Sequence, residues 1–299
     1  MALTIGVIGL GNMGEILARR VAEMYKVLGY DVDPKKRALL SNENISCKDT
    51  LKELAENVDV IILSLPNSEI SLSVVQDIAQ FLRPGSTIIE TGTVLPEDVT
   101  RLAEACSSYD VNVVDSAILG GVSHVQSGNF SFLVGGSEKN IQEVQEVLEA
   151  TANEVKILGP LGSGMAAKII NNAVAHSVMV LIVEAAALGT TLGISSKAIY
   201  ELLSGETALQ RPLTHRFGER ILNGDYEGGM SVANARKDST LAMQLGQQLG
   251  VPLFAITATD IVYEIANKEG LENLDYASIA QLWEKWTNTS FVQEILPIT

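Results

Sequence analysis

Hydrophobic and polar positions follow two alternating periods along the first half of the chain, as far as about Gly159. Short aliphatic and β-branched runs, typical of buried strands, are separated by stretches in which apolar residues recur with a helical spacing. The predicted strands are residues 5–8, 27–30, 58–65, 87–91, 111–115 and 130–134, and the helical stretches between them include residues 48–56, 74–82 and 97–106. Strands that alternate with helices predict a parallel sheet with both faces covered.

The pattern becomes entirely helical after residue 160. Residues 163–193 are one long apolar segment, interrupted by polar side chains at Lys168, Asn171, Asn172, His176 and Glu184. These interruptions argue against a membrane span, so we predict a long buried helix. Further helices are predicted at residues 196–203, 212–222, 237–249, 252–268 and 276–286. The prediction is therefore a sheet domain over residues 1–160 and a helical domain over residues 161–299, which includes the connecting helix 163–193.

Three glycines follow the first predicted strand with the spacing G-x-G-x-x-G. Gly9 permits a tight turn, Gly11 lets the backbone approach a pyrophosphate, and Gly14 allows a helix to pack closely on a strand. A helical pattern follows, and Asp31 ends the second predicted strand about twenty residues later, as this fingerprint requires. We therefore predict an α/β fold with an N-terminal Rossmann-type dinucleotide-binding domain, a long connecting helix and an all-α C-terminal domain.

The choice between NAD and NADP depends on the end of the second predicted strand. A carboxylate there accepts hydrogen bonds from both ribose hydroxyls and repels a 2′-phosphate, so Asp31 favours NAD. Lys35, Lys36 and Arg37 follow in the next turn and keep NADP open, although such residues also commonly begin a solvated helix.

Composition narrows the class of partner. The chain has 299 residues, 46% hydrophobic and 19% charged, which is typical of a soluble protein with two domains. Its formal charge of −15 argues against nucleic acid or an anionic membrane as a partner. Two cysteines and no visible signal peptide favour the cytoplasm. The few histidines and cysteines lack ligand-like spacing, so no metal site is predicted.

Four segments, taken in order, resemble the β-hydroxyacid dehydrogenase family over essentially the whole chain. They are residues 9–14, residues 115–136 with paired Gly120 and Gly121, residues 164–172 with Lys168, and the pair Lys237-Asp238. The resemblance implies an oxidoreductase that transfers a hydride between NAD(P) and a small β-hydroxyacid or a related alcohol or aldehyde. It also implies a homodimer or homotetramer.

The resemblance assigns roles to individual residues. Lys168 is the general acid/base and Asn172 positions the same substrate oxygen. Their spacing of four puts them on one helix face, and burial can lower the pKa of a lysine enough for both directions of proton transfer. The implied cofactor residues are Gly9, Leu10, Gly11, Asn12, Met13, Gly14, Asp31, Leu65, Pro66, Thr93 and Lys237. The implied substrate residues are Leu119, Gly120, Gly121, His124 and Met230.

Several positions depart from the family pattern. Leu119 replaces a serine before the paired glycines, His124 and Val125 replace a glycine–alanine pair, and Gly92 replaces a serine before Thr93. Met230 stands where relatives commonly carry an aromatic residue. His124 is interpreted either as a replacement donor or as a surface loop residue.

Two alternatives stay open beside the hydroxyacid dehydrogenase. One is an imine reductase of the same fold, which Lys168 and Asp31 argue against because such enzymes generally replace the lysine and prefer NADPH. The other is a non-catalytic NAD(P)-binding protein, which the presence of Lys168 disfavours.

Overall fold

The computed structural model describes residues 3–41, 44–205 and 208–292. The chain divides into two compact units, Met1–Ala173 and Val174–Thr299. The N-terminal unit contains the sheet, and the C-terminal unit is helical. The division falls inside a long helix, whereas the predicted domain boundary at residue 160 lies just before it.

A single sheet forms the centre of the N-terminal unit. Its strands lie in the order β3-β2-β1-β4-β5-β6-β7-β8. Their bounds are β1 Thr4–Ile8, β2 Lys26–Tyr30, β3 Ile45–Cys47, β4 Val60–Leu63, β5 Thr87–Glu90, β6 Asn112–Leu119, β7 Ser131–Gly135 and β8 Glu154–Gly159. The sequence order reverses between β1 and β4, which is where ligands bind at the carboxyl ends of the strands in open sheets of this kind.

Helices cover both faces of this sheet, as the alternating pattern predicts. They are α1 Asn12–Val21, α2 Pro34–Leu40, α3 Leu51–Ala55, α4 Ser68–Ile78, α5 Pro96–Cys106, α6 Val122–Ser127 and α7 Glu138–Thr151. Apolar residues of α1 and α7 pack on one face, and those of α3, α4 and α5 pack on the other. The starts of α3 and α4 differ from the predicted ones because Thr50 and Asn67 cap their first turns.

The prediction of a wholly parallel sheet is wrong at one pair of strands. Strand β7 runs antiparallel to β6, with Leu119 opposite Ser131. Only α6, which has six residues, and a short turn connect them. A parallel crossover needs a dozen or more residues, so this short connection brings the chain back in the opposite direction. The two edge strands, β3 and β8, were not predicted from the hydrophobic pattern.

The long helix α8 spans Ser163–Thr191 and confirms the predicted connecting helix in extent. It is long and apolar enough to cross a membrane by those two criteria alone, which long helices of soluble proteins also satisfy. The prediction that this helix is buried is wrong for the single chain, since only 11% of its most apolar 18-residue stretch is buried. Exposed apolar residues along it include Val174, Met179, Val180 and Val183.

The C-terminal unit continues with α9 Ser196–Ser204, a π-helix Pro212–Arg220, and helices α10 Val232–Leu249, α11 Phe254–Lys268 and α12 Ala280–Thr287. The buried carboxylate of Glu184 caps α11 by accepting N–H groups from Phe254, Ala255 and Ile256 at 2.6, 2.9 and 3.2 Å. The sequence predicts that Lys237 opens a helix, but α10 begins five residues earlier because Ser231 caps it. Lys237 therefore lies in its second turn.

Candidate active site

A cavity of about 680 Å³ lies at the carboxyl ends of β1, β2 and β4. Seven of the predicted cofactor residues line it, namely Gly9, Gly11, Asn12, Met13, Asp31, Leu65 and Pro66. Leu10 and Gly14 are buried beneath the turn, and Thr93 is exposed outside the cavity lining. The sheet thus brings together residues that lie far apart in the sequence, at the edge where a dinucleotide binds in this class of fold.

The glycine-rich turn has the shape of a phosphate cradle. Gly9 has φ +91° and leaves no room for a side chain beside the Ser64 carbonyl, and a methyl on Gly14 would collide with the Gly9 carbonyl. Gly11 differs, because an added methyl there would meet no other atom within 4 Å and would project into open space. Helix α1 begins there without a side-chain cap, so its first N–H groups stay available for an anion. The turn therefore fits a pyrophosphate.

Asp31 connects the glycine-rich turn to β2. Its Oδ2 accepts the Leu10 N–H at 2.8 Å and its Oδ1 accepts the Asp33 N–H at 2.8 Å. Burial alone would raise the pKa of Asp31, but these two N–H groups and the Lys36 ammonium, 3.4 Å away, outweigh it and hold the pKa below its ordinary value. The carboxylate is therefore ionised at the cavity wall, where it has further lone pairs for ribose hydroxyls.

Glu90 at the end of β5 supports the loop that carries Thr93. The side chain is fully buried, and its Oε1 accepts the Gly92 N–H at 2.7 Å. A methyl on Gly92 would lie 2.9 Å from this oxygen and 3.2 Å from the Leu65 carbonyl. Burial raises the pKa of Glu90 to about 7, opposed by the Ser71 hydroxyl and the N–H groups of Gly92 and Thr91. The role of Glu90 was not predicted, although Glu90 lies only two residues before Gly92.

The predicted substrate loop follows β6. Leu119 ends the strand half-buried, and Gly120 has φ +155°, a conformation that suits glycine. A methyl on Gly120 would meet Phe130 at 2.9 Å, so the turn admits no side chain there. His124 is exposed on α6, and its Nδ1 would lie 3.7 Å from a methyl on Gly121. The imidazole therefore lies beside the paired glycines, although its contribution to binding stays a prediction.

Lys168 lies in the second turn of α8. Its side chain is half-buried, and burial lowers its pKa below the ordinary value. Within the residues that the structure describes, no hydrogen bond or ion pair is formed by its ammonium group. Asn172 is half-buried one turn further along, and its side-chain oxygen accepts a hydrogen bond from the Asn171 amide at 3.5 Å. Desolvation without a counter-ion favours the neutral amine of Lys168, which is the form that accepts a proton.

The start of α8 is held by Asp115, which lies in the 115–136 segment but was not predicted to have a role of its own. This carboxylate is fully buried in β6, where its Oδ1 accepts the Gly162 N–H at 2.6 Å and its Oδ2 accepts the Met165 N–H at 2.8 Å. Burial raises the pKa of Asp115, and the N–H groups oppose this change. A signal for this contact was present in the sequence, since a helix that begins after Gly162 has no side chain of its own to cap it.

Lys237 and Met230 belong to the C-terminal unit. The Lys237 ammonium is exposed and lies 3.1 Å from the Asp238 carboxylate. The Met230 carbonyl accepts the Tyr276 N–H at 2.8 Å, which fixes the backbone before α10. Their roles toward cofactor and substrate stay predictions.

Comparison with known proteins identifies both parts of the chain. Residues 4–159 match the family described as the NAD binding domain of 6-phosphogluconate dehydrogenase, and residues 162–283 match the NAD-binding family of NADP-dependent 3-hydroxyisobutyrate dehydrogenase. The first match alone covers more than half of the chain.

Similar proteins match along almost the full length. The chain is 26% identical to 2-(hydroxymethyl)glutarate dehydrogenase of Eubacterium barkeri over 97% of both chains. It is 28% identical to mitochondrial 3-hydroxyisobutyrate dehydrogenase of Rattus norvegicus, over 93% of this chain and 86% of that protein. An imine reductase from Pseudomonas sp. has the same fold, with a TM-score of 0.84 at 21% identity over 95% of this chain and 100% of that one. The chain belongs to the β-hydroxyacid dehydrogenase family and is an NAD(P)-dependent oxidoreductase.

Proposed function

We propose that this enzyme transfers a hydride between NAD and a small β-hydroxyacid or a related alcohol or aldehyde, with Lys168 as the general acid/base. The observation that carries the proposal is Lys168 itself, a half-buried ammonium with a lowered pKa in the second turn of α8. The two relatives named above are dehydrogenases of substrates that carry hydroxyl groups, which supports the same reaction class here.

The cofactor site is supported by the cavity at the carboxyl ends of the strands. The N–H groups around Gly11 and the start of α1 would hold the pyrophosphate, and the ionised Asp31 would accept hydrogen bonds from the adenosine ribose. The bound nicotinamide supplies a hydride acceptor or donor. Because Asp31 repels a 2′-phosphate, NAD is the proposed cofactor. Lys36 is one of the basic residues that could pair with the 2′-phosphate of NADP. Its ammonium lies 3.4 Å from Asp31, however, and is already paired with that carboxylate.

The residues proposed to transfer the proton and to position the substrate oxygen both lie on α8. In the oxidative direction the neutral Lys168 amine accepts the proton of the substrate hydroxyl at Nζ, and in the reductive direction the ammonium returns it. The Asn172 amide would donate a hydrogen bond to the same oxygen without changing charge. The backbone around Gly120 and Gly121 would receive the remainder of the substrate.

Assembly and location extend the same proposal. The apolar residues that α8 exposes, among them Val180 and Val183, support a homodimer or homotetramer in which this surface is covered. The two cysteines, Cys47 and Cys106, are both free, which supports a cytoplasmic location.

The reaction is tested by assaying the purified enzyme with a panel of small β-hydroxyacids and NAD, and with cyclic imines and NADPH. We expect NADH formation from at least one hydroxyacid, and a higher kcat/KM with NAD than with NADP. Imine reduction without any alcohol oxidation would contradict the proposal and favour the imine reductase alternative.

The role of Lys168 is tested by Lys168→Ala. We expect kcat to fall by at least about a hundredfold, the scale of lost acid/base catalysis, with NAD affinity nearly unchanged. Added primary amines should restore part of the activity. Lys139→Ala, which removes an exposed lysine of α7, is the matched control and should keep full activity. Unaltered turnover in Lys168→Ala would remove this lysine from the mechanism.

A further inference from the structure

The first turn of α8 is capped by a side chain from a distant part of the sequence. Gly162 precedes the helix with φ +93° and has no side chain to accept the N–H groups of the first turn. The Asp115 carboxylate, 47 residues earlier, accepts the Gly162 N–H with one oxygen and the Met165 N–H with the other. An N-cap side chain normally accepts such N–H groups, so Asp115 acts as the cap of α8.

Glycines around this contact let the backbone approach the Asp115 carboxylate closely. A methyl on Gly135 would lie 2.5 Å from Asp115 Oδ1, and one on Gly164 would lie 2.8 Å from Asp115 Oδ2. On the other side, a methyl on Gly162 would lie 3.0 Å from Pro96, the first residue of α5. The carboxylate is therefore held by close backbone approach, and the helix start is fixed against β6, β7 and α5.

Strand β6 connects this contact to the predicted substrate loop. Leu119 lies four residues after Asp115, about 13 Å along β6, and leads into Gly120. Lys168 lies three residues after Met165, about one turn along α8. A rigid link between Asp115 and Met165 thus fixes the distance between the glycine loop and the lysine.

We propose that Asp115 is a positioning residue that sets the location of Lys168 relative to the Gly120-Gly121 loop. The inference rests on the proposed role of Lys168. Without the carboxylate, the N–H groups of the first turn lose their acceptor, and the start of α8 separates from the sheet. Lys168 then becomes more hydrated and moves away from the substrate oxygen.

The test is Asp115→Asn, which keeps the size of the side chain and removes its charge. We expect kcat for alcohol oxidation to fall at least about tenfold, with the KM for NAD unchanged, because the glycine-rich turn is not touched. The rising limb of the kcat–pH profile should move to higher pH, since hydration returns the pKa of Lys168 toward its ordinary value. A loss of folded protein alone would not move that limb.

Glu184→Gln is the matched control, since Glu184 is also a buried carboxylate that caps a helix from a distance. It should lower the unfolding temperature without moving the pH limb. If Asp115→Asn does not fold, Asp115→Ser, whose hydroxyl keeps one acceptor, takes its place in the same assays. A kcat and pH limb equal to wild type in the folded variant would overturn the inference. If Lys168→Ala still abolishes activity in that case, only the inference about Asp115 fails and the proposed role of Lys168 is retained.

Discussion

Glu90 is a buried acid whose ionisation opposes folding. In the unfolded chain its pKa takes the ordinary value near 4.5, whereas burial raises the pKa of the folded group to about 7. The stability that its protonated form contributes is therefore fully present below about pH 4.5 and is lost as the pH rises through 7. The folded enzyme tolerates this group in part because the Gly92 N–H donates a hydrogen bond to its Oε1 at 2.7 Å.

Replacing Glu90 with glutamine should remove this pH dependence. Between about pH 5 and about pH 8, the stability of wild type relative to Glu90→Gln should fall by roughly 2 to 3 kcal/mol. Urea unfolding at both pH values measures the difference. Glu104→Gln, at an exposed position of α5, should show no such change. An equal offset between wild type and Glu90→Gln at both pH values would contradict the argument.

At the scale of elements, substitutions of two glycines in the glycine-rich turn should affect different properties, stability for Gly14 and cofactor binding for Gly11. Gly14→Ala places a methyl against the Gly9 carbonyl, so we expect a loss of roughly 3 kcal/mol in the free energy of unfolding. Gly11→Ala adds its methyl to open space and should change stability by less than about 1 kcal/mol. It should nevertheless weaken NADH binding at least about tenfold, measured by fluorescence titration, because the methyl occupies the approach to the pyrophosphate. Tight binding by Gly11→Ala would show that the pyrophosphate lies elsewhere.

The elements show what the sequence could and could not predict. The central strands and the glycine-rich turn were predicted because hydrophobic period and glycine spacing are local signals. Strand β7 was predicted, but its antiparallel direction was not, because that direction follows from the length of one connection. The buried caps from Asp115 and Glu184 were missed because each joins residues at least 47 positions apart. The start of α8 after Gly162 signals that a capping partner is needed, but no periodic pattern in the chain identifies the residue that supplies it.

At the scale of the whole molecule, the exposed apolar face of α8 predicts an assembly. Val180→Asp would place an unpaired charge in the covered surface, so we expect the dimer or tetramer to dissociate toward the monomer. Light scattering coupled to gel filtration measures the mass. Leu39→Asp, at a leucine that is 79% exposed on α2, is the control and should leave the mass unchanged. A wild-type enzyme that is already monomeric would contradict the prediction.

The contact between Glu90 and Gly92 couples the side chains that positions 90 and 92 can carry. A serine at position 92 would meet the Glu90 carboxylate, whereas a shorter aspartate at position 90 would make room for it. Gly92→Ser alone should therefore destabilise the protein more than Gly92→Ser combined with Glu90→Asp. The tolerance of a serine at position 92 therefore depends on the acid at position 90, so the effects of the two substitutions on stability should not be additive.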